Sequence, residues 1–178
     1  MKKVLVTGGT GYIGSHTVID LYKNGYDVII VDNLCNSKIE VLNRITKISG
    51  KNPTFYQISV QDKEKMREVF EKEEFDSIIH FAGLKSVGES VLYPEKYIEN
   101  NIGSSKVLLE LMEEYKVNNI VFSSSATVYG TPDHVPLCED DPVGGCTNPY
   151  GQTKLDIEYL LKDYAKVHPE ANIAILRY

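Results

Sequence analysis

The sequence predicts an α/β fold, a doubly wound parallel sheet of about six strands with helices on both faces (a Rossmann fold). Short runs of branched apolar residues alternate along the 178 residues with longer segments of helical period. Most of these runs lack polar alternation, which is typical of parallel strands buried on both faces. No linker, charge block or internal repeat interrupts the series, and a hydrophobic content of 42% suffices for one core. We therefore expect a single domain over residues 1–178, with ligands bound beyond the carboxyl ends of the strands.

The first strand, residues 4–6, leads into a glycine-rich loop. The loop reads Gly8-Gly9-Thr10-Gly11-Tyr12-Ile13-Gly14, a G-x-x-G-x-x-G spacing that opens the helix predicted over residues 11–24. Glycines permit a tight turn and a close backbone approach to a pyrophosphate, which the free amides at the amino end of a helix then bind. Because the loop follows a strand and precedes a helix, it predicts a dinucleotide site.

The second strand, residues 28–31, is followed by Asp32, 18 residues beyond Gly14. A carboxylate there accepts hydrogen bonds from the ribose hydroxyls of adenosine and repels a 2′-phosphate. The predicted cofactor is therefore NAD and not NADP. Alternatively, Asp32 closes a turn at Asn33 and Leu34, ahead of the helix predicted over residues 38–49.

Strands three and four are predicted at residues 55–58 and 78–81, with a helix over residues 63–73 between them. His80 follows two isoleucines in strand four and shows no metal-ligand spacing, so we expect a hydrogen-bonded imidazole in the core. A longer helix over residues 94–115 leads to the fifth strand. Its apolar residues cover more than one face, which fits a core position or contact with a second subunit.

The fifth strand, residues 120–122, runs into Ser123-Ser124-Ser125 at the edge of the sheet where the cleft is expected. Ser125 is our candidate for a hydrogen bond to a substrate hydroxyl or to a developing carbonyl. A triple serine also occurs as a plain polar exit from a strand. The irregular residues 130–148 contain three prolines and a Gly-Gly pair, so they form either a loop over the mouth of the cleft or a surface excursion. We favour the mouth of the cleft, because the segment connects two candidate catalytic segments.

Tyr150 and Lys154 stand four residues apart on the first turn of the helix predicted over residues 150–168, so their side chains share one face. A nearby ammonium favours phenolate over phenol, and we expect the pKa of Tyr150 to fall from about 10 toward neutrality. Such spacing also arises by chance on solvated helices. Together with the nucleotide loop and Ser125 it predicts a catalytic set, Ser125, Tyr150 and Lys154, for hydride transfer at a carbon that bears a hydroxyl. The sixth strand follows at residues 173–176.

Composition excludes several classes of protein. The formal net charge of −6 and the scattered lysines and arginines offer no basic field for nucleic acid. No apolar run approaches the ~20 residues that cross a bilayer, and Met1-Lys2-Lys3 leads directly into a strand and not into a signal sequence. Cys35, Cys138 and Cys146 lack disulfide or zinc spacing, so we expect three reduced thiols, no metal site and a cytoplasmic location.

Six segments carry more specific motifs: residues 6–16, 32–37, 80–90, 100–101, 123–130 and 148–151. Within the third of these segments, the part from Phe81 to Ser90 is far more specific than the glycine loop. In these segments and along its full length, the chain resembles the UDP-glucose 4-epimerase family of the extended short-chain dehydrogenase/reductase superfamily. Family members continue for a comparable length that completes the sheet and builds the nucleotide-sugar domain. The resemblance therefore implies the N-terminal, cofactor-binding portion of such an enzyme.

The resemblance implies roles around the whole predicted cleft. Such an enzyme keeps NAD bound, removes hydride from C4 of the hexose and returns it to the other face, interconverting UDP-glucose and UDP-galactose in galactose metabolism. Lys85, Ser125 and Tyr150 would contact the UDP-sugar, and Tyr150 would act as base in the first step and as acid in the second. The residues predicted or implied for the cofactor are Gly8, Gly11, Tyr12, Ile13, Gly14, Asp32, Asn33, Leu34, Cys35, Asn36, Ser37, Ser59, Val60, Phe81, Ala82, Gly83, Leu84, Lys85, Asn100, Ser123, Tyr150, Lys154 and Tyr178.

Two sites distinguish the chain from related enzymes. Ser59 stands where the family offers an Asp to adenine, and a neutral hydroxyl weakens that contact by about 1 kcal/mol. Ala126-Thr127 follow Ser125, where dehydratases of the superfamily carry an acidic pair that eliminates water.

Without the nucleotide-sugar domain, we expect the chain alone to be nearly inactive. Two alternatives stay open: a NAD-binding module without catalysis, and a NAD-dependent oxidoreductase of another nucleotide sugar. Related enzymes commonly dimerise, and here the apolar helices that begin near Pro94 and Tyr150 indicate a homodimer.

Overall fold

The computed structural model describes residues 2–178 and contains a six-stranded parallel sheet. Its strands are β1 (Lys3–Thr7), β2 (Asp27–Val31), β3 (Thr54–Tyr56), β4 (Ser77–His80), β5 (Asn119–Ser124) and β6 (Asn172–Arg177). They are ordered β3-β2-β1-β4-β5-β6, and every neighbouring pair is parallel. The predicted doubly wound fold is confirmed. The series reverses between β1 and β4, which is where a ligand cleft is expected in such a sheet.

Helices connect the strands within the described residues. They are α1 (Tyr12–Lys23), α2 (Glu40–Ser49), α3 (Lys63–Lys72), α4 (Val87–Leu92), α5 (Pro94–Tyr97), α6 (Gly103–Tyr115) and α7 (Pro149–Val167). A π-helical turn, Ile98–Ile102, joins α5 to α6, and a 3₁₀ turn, Ala126–Tyr129, follows β5.

Three elements of the structure differ from the prediction. The helix predicted over residues 94–115 is interrupted by the π-helical turn, which places Asn101 in the interior. The short helix α4 was missed, although Ser86 and Glu89 show the spacing of a capping box and the Ser86 hydroxyl accepts a hydrogen bond from the Glu89 N–H (3.3 Å). A helix of six residues is too short for apolar periodicity to reveal it. The third strand ends at Tyr56, two residues before its predicted end.

The hydrophobic core lies in two clusters on opposite faces of the sheet. Alternate residues of β1 belong to different clusters, with Leu5 on one face and Val4 and Val6 on the other. The first cluster packs against α3, α6 and α7, and the second against α1 and α2. Because β1 and β2 are covered on both sides, their apolar runs have no polar alternation, whereas β6 has one face exposed.

The irregular residues 130–148 fold over a small separate cluster. Leu137, Val143 and Cys146 pack against Val128, Tyr129 and Leu155. Contrary to our prediction, none of these loop residues lines the cavity at the carboxyl edge of the sheet. The loop instead shields the apolar outer side of the 3₁₀ turn, because its own apolar side chains have no other surface to bury against.

Two surface features complete the description. Within residues 2–178, no helix combines the length and apolarity that a membrane span requires. The sulfurs of Cys35, Cys138 and Cys146 are free thiols, with the first two exposed.

Candidate functional site

A cavity of about 420 Å³ opens at the carboxyl edge of the sheet, between the ends of the central strands. Every residue predicted for the cofactor, the substrate or catalysis lines it, with the exception of Leu34. Leu34 adopts a left-handed backbone conformation (φ 60°) and contributes its N–H to the turn after β2. Ile58, Ser104 and Ser124 also line the cavity and were not predicted.

The glycine loop presents bare backbone to one end of the cavity. Gly11 caps α1 without any side-chain hydrogen bond, and the first turn carries no acidic residue, so amides at this helix end are available to an anion. Gly8 has a positive φ of 71°, and a Cβ there would lie 2.7 Å from the Ala82 nitrogen. A Cβ at Gly14 would collide with the Gly8 carbonyl oxygen. The loop therefore requires glycine at these two positions to pack against its neighbours.

Asp32 lines the cavity just beyond the end of β2 and is held by its neighbours. Its carboxylate accepts hydrogen bonds from the N–H of Leu34 (2.9 Å) and the N–H of Thr10 (3.2 Å). The turn-closing role considered as an alternative is thus present alongside the position expected for ribose recognition. Thr10, which was not predicted, is buried, and its hydroxyl lies 2.7 Å from the Ser37 hydroxyl. Thr10 therefore ties the glycine loop to the segment that follows β2.

Residues 81–85 form the middle of the cavity wall after β4. A buried amide, Asn101, braces this segment: its Oδ1 accepts from the Leu84 N–H (2.8 Å), and its Nδ2 donates to the Leu84 carbonyl (3.0 Å). The same Nδ2 donates to the Thr153 hydroxyl on α7 (3.1 Å). Its neighbour Asn100 lines the cavity, as predicted. The π-helical turn thus directs adjacent residues to the core and to the site.

The predicted adenine end and the last residue complete the wall. Ser59 and Val60 line the cavity after β3, and the Ser59 hydroxyl accepts a long hydrogen bond from the Gln61 N–H (3.4 Å). Tyr178 also lines the cavity, and its carbonyl accepts from the Ala126 N–H (2.7 Å).

His80 lies beneath the cavity as a neutral core group. Its Nδ1 is 2.7 Å from the Thr7 hydroxyl, and its Nε2 is 3.2 Å from the Ser105 hydroxyl. Burial, with a smaller contribution from the charge of Lys154, lowers the pKa of His80 to about 3. The predicted hydrogen-bonded core imidazole is confirmed.

Ser125 and Tyr150 meet at the end of β5. Ser125 is buried, and its hydroxyl accepts from the Thr127 hydroxyl (2.9 Å). The N–H of Tyr150 donates to the buried Ser90 hydroxyl (3.1 Å), which fixes the first turn of α7 against α4. Burial raises the pKa of Tyr150, while a hydrogen bond with Ser125 lowers it by a smaller amount. The expectation that this pKa falls toward neutrality is wrong for the structure as it stands.

The surroundings of Lys154 explain why the pKa of Tyr150 is not lowered. Its Nζ donates to the Ser123 carbonyl (2.7 Å), and it lies 4.7 Å from the ring centroid of Phe122 but 5.9 Å from that of Tyr150. Burial also lowers the pKa of Lys154 to about 8. Removal from water disfavours the charged form of both groups, and at this separation it outweighs their attraction. The site therefore holds a neutral phenol beside an amine that titrates close to neutral pH.

The comparisons with known proteins all indicate the same family. A profile of the NAD dependent epimerase/dehydratase family matches residues 4–178. UDP-glucose 4-epimerase of Bacillus subtilis (strain 168) is 53% identical over 175 residues, which cover 98% of this chain and 51% of that protein. UDP-glucose 4-epimerase of Neisseria meningitidis serogroup B is 53% identical over 178 residues, which cover 100% of this chain and 52% of that protein.

Solved structures agree with these relatives. The crystal structure of UDP-glucose 4-epimerase from Bifidobacterium longum in complex with NAD+ and UDP is 50% identical, with a TM-score of 0.98 over 99% of this chain and 53% of that one. UDP-glucose-4-epimerase from Stenotrophomonas maltophila with bound NAD and formylated UDP-arabinopyranose is 46% identical, with a TM-score of 0.96 over 100% of this chain and 53% of that one. The chain spans about half the length of the relatives it matches.

Replacing Lys154 with methionine tests the cost of burying its ammonium. Between pH 8 and 10.5 the unfolded chain retains a proton that the folded chain has released, so this group makes stability rise with pH across that window. Below pH 8 the folded state carries the full penalty, roughly 3 kcal/mol. We expect the stability difference between Lys154→Met and the original chain to favour the variant most at pH 7 and to shrink toward pH 10, as measured by urea unfolding.

Lys166→Met is the matched control, because Lys166 is an exposed lysine of the same helix. Its effect on the free energy of unfolding should stay nearly constant over that pH range. A pH-independent difference for Lys154→Met would contradict the buried-amine interpretation.

Proposed function

Because the chain belongs to the NAD dependent epimerase/dehydratase family, we propose that it is the cofactor-binding half of a UDP-glucose 4-epimerase. The proposal rests on one observation above all: Ser125, Tyr150 and Lys154 line the same cavity as the glycine loop and Asp32. Identities near 50% with UDP-glucose 4-epimerases support the same activity for the complete protein. In that protein the nucleotide sugar would be held largely by the region that the relatives have beyond the matched half.

The chemical groups that line the cavity suit a dinucleotide. At one end, the uncapped amides of α1 and the side-chain-free loop suit a pyrophosphate. Asp32 offers a carboxylate to ribose hydroxyls and would repel a 2′-phosphate, which supports NAD over NADP. At the other end, Tyr150 and Lys154 stand where a nicotinamide ribose would reach. NAD supplies a hydride acceptor and donor there.

The side chains of the chain itself would move and place protons. In the first step the Tyr150 phenolate would accept the proton from the C4 hydroxyl of the sugar and become a phenol, and in the second step that phenol would return the proton to the ketone oxygen. Ser125 would donate a hydrogen bond to that oxygen and hold it in line with the phenol. Since the pKa of Tyr150 is raised here, a phenolate requires added positive charge nearby, which a protonated Lys154 would supply in part.

The wall of the cavity favours epimerisation over elimination of water. Among the described lining residues, the acidic side chain is Asp32, at the adenosine end of the proposed groove. The residues next to Ser125 are Ala126 and Thr127, and the Thr127 hydroxyl is engaged with Ser125. A dehydratase needs an acid near the sugar to protonate a leaving hydroxyl.

The activity test uses the complete protein that carries this chain. We expect turnover of UDP-galactose to UDP-glucose without net NADH, and a fall in kcat of roughly 10²–10⁴-fold for Tyr150→Phe, which removes the proton-transferring hydroxyl. Tyr159→Phe, on an exposed residue of the same helix, should retain kcat. The 178-residue chain alone should be nearly inactive.

Other outcomes separate the rival functions. Net accumulation of NADH with an oxidised sugar would identify an oxidoreductase, and retained dinucleotide with no turnover would identify a binding module. Full turnover by the 178-residue chain would refute the proposed division between cofactor and substrate regions.

Asp32→Ala tests the choice of cofactor. We expect NAD affinity to fall by about tenfold or more, because the variant loses hydrogen bonds to a charged acceptor. Such a bond contributes roughly 1.5–3 kcal/mol. The affinity for NADP should fall less or rise, because a repulsive charge is removed. Titration calorimetry with both dinucleotides measures the ratio, with Asp20→Ala on the exposed side of α1 as control. An unchanged NAD to NADP ratio would count against the assigned role of Asp32.

We also propose a homodimer formed by α4, α5 and α7. Exposed apolar side chains cluster on these packed helices and the π-helical turn: Val91, Leu92, Tyr93, Ile98 and Tyr159. A second copy of the chain would bury this surface around a twofold axis. Leu92→Asp should convert the complete protein from dimer to monomer in sedimentation equilibrium, whereas Val167→Asp, at the other end of α7, should not. A monomeric parent protein would exclude the interface.

The free thiols support a reducing compartment, and we place the protein in the cytoplasm. Cell fractionation with an antibody checks this location, and recovery in an oxidising compartment would exclude it.

A further inference from the structure

A buried ion pair, Glu158 with Arg177, lies next to the end of β5, and neither residue lines the cavity. Helix α7 carries Tyr150, Lys154 and Glu158 at four-residue intervals, so the three side chains share one face. The first two line the cavity. Glu158 is completely buried (0% exposed), and the proposed chemistry gives it no role.

Glu158 holds two different strands at once. Its Oε1 accepts a hydrogen bond from the Ser124 hydroxyl at 2.6 Å and one from Arg177 Nε at 2.9 Å. Its Oε2 accepts from Arg177 Nη2 at 2.7 Å. These donors lower the pKa of Glu158 although burial alone would raise it, so the carboxylate is ionised. The pair is bidentate, which restricts both distance and orientation.

Arg177 extends the contact to the turn after β5. Its Nη1 donates to the Tyr129 hydroxyl at 2.7 Å, and its guanidinium lies 4.9 Å from the centroid of that ring. The ion pair therefore joins the last residue of β6, the 3₁₀ turn and the middle of α7. Each of these elements flanks the segment that carries Ser125.

Three consecutive serines bind three residues of α7. The Ser123 carbonyl accepts the Lys154 ammonium, and the Ser124 hydroxyl donates to Glu158. The Ser125 hydroxyl lies near enough to the Tyr150 phenol to lower the pKa of that phenol. Because the three contacts share one short strand end and one helix face, a shift at Ser124 moves the contacts on both sides of it. Two of these contacts involve residues of the proposed catalytic set, and the middle contact joins Ser124 to Glu158.

We propose that Glu158 is a positioning residue: with Arg177 as its counter-ion, it holds Ser124 and so sets the register of β5 against α7 that brings Ser125 to Tyr150. The inference rests on the proposed function, in which Ser125 and Tyr150 react with the sugar. A carboxylate suits this task because its hydrogen bonds are directional, whereas an apolar contact would let the strand slide. Arg177 is the nearer of two counter-ions, since Lys162 Nζ lies 3.6 Å from the same carboxylate, and this positive charge is needed because an unpaired buried carboxylate would not remain charged.

Ser124→Ala is the sharpest variant, because it removes the link to β5 and leaves the Glu158–Arg177 pair intact. We expect a slightly lower thermal midpoint, because a hydrogen bond to a buried carboxylate is lost, together with a fall in kcat of about tenfold in the complete protein and a KM for UDP-galactose within about twofold. Glu158→Gln should lower kcat further and also lower the thermal midpoint, because it leaves Arg177 without its counter-ion. Asp163→Asn is the matched control, since it removes an exposed carboxylate from the same helix and should change neither quantity.

A second readout does not depend on turnover. The ultraviolet absorbance of tyrosinate, taken as the difference between a protein and the same protein with Tyr150→Phe, reports the titration of Tyr150. In the Ser124→Ala background this titration should move to higher pH, because a displaced Ser125 no longer stabilises the phenolate. The Asp163→Asn background should leave it in place.

The outcomes separate this inference from the proposed function. An unmoved Tyr150 titration together with full kcat in Ser124→Ala would overturn the positioning role. The positioning role would also be overturned if Glu158→Gln lost activity only in proportion to its unfolded fraction and left the Tyr150 titration unmoved. A shifted titration in a protein that does not epimerise UDP-galactose would uphold the positioning role and reject the function.

Discussion

The parallel alignment of the six strands brings the ends of β1, β2, β4 and β5 to one edge of the sheet, and the cavity exists because of that alignment. Each of these strands is followed by a different chemical group: bare glycine backbone, the Asp32 carboxylate, the segment 81–85 and the serine run. The groups are far apart in sequence, yet the shared strand direction places them within one groove. The helices serve this edge as well, because α1 begins at the glycine loop and α7 begins at Tyr150.

Burial of polar groups is the second constraint, and hydrogen bonding satisfies it throughout the described residues, in which no buried side-chain nitrogen or oxygen lacks a partner. His80 is kept neutral between two hydroxyls, and Glu158 is kept charged by Arg177. Lys154 has a carbonyl and an aromatic face but no counter-ion among residues 2–178. The surroundings of His80 and Lys154 disfavour their charged forms, whereas those of Glu158 favour its charged form. A fully satisfied network of this kind is rigid, which suits groups that must keep fixed distances.

The sequence predicted the fold from local signals, and it predicted the cavity wall from local signals together with the family resemblance. Apolar runs indicated the strands, and the glycine spacing, Asp32 and the Tyr150–Lys154 interval indicated residues that do meet in one cavity. It did not predict Glu158 or Asn101, because their roles arise from partners 19 and 17 residues away that meet only in the folded chain. The raised pKa of Tyr150 was missed for a related reason: spacing shows that two groups share a face, but desolvation depends on everything packed around them.

The central place of β1 in the sheet bears on how the chain is made. β1 pairs with β2 on one side and with residues 77–80 on the other. Val4, for example, cannot pair with Ser77 until that later residue has been synthesised. During translation the first strand therefore leaves the ribosome long before its second neighbour exists. Until β4 emerges, the nascent chain exposes an apolar strand edge, which is the kind of surface that recruits chaperones or aggregates.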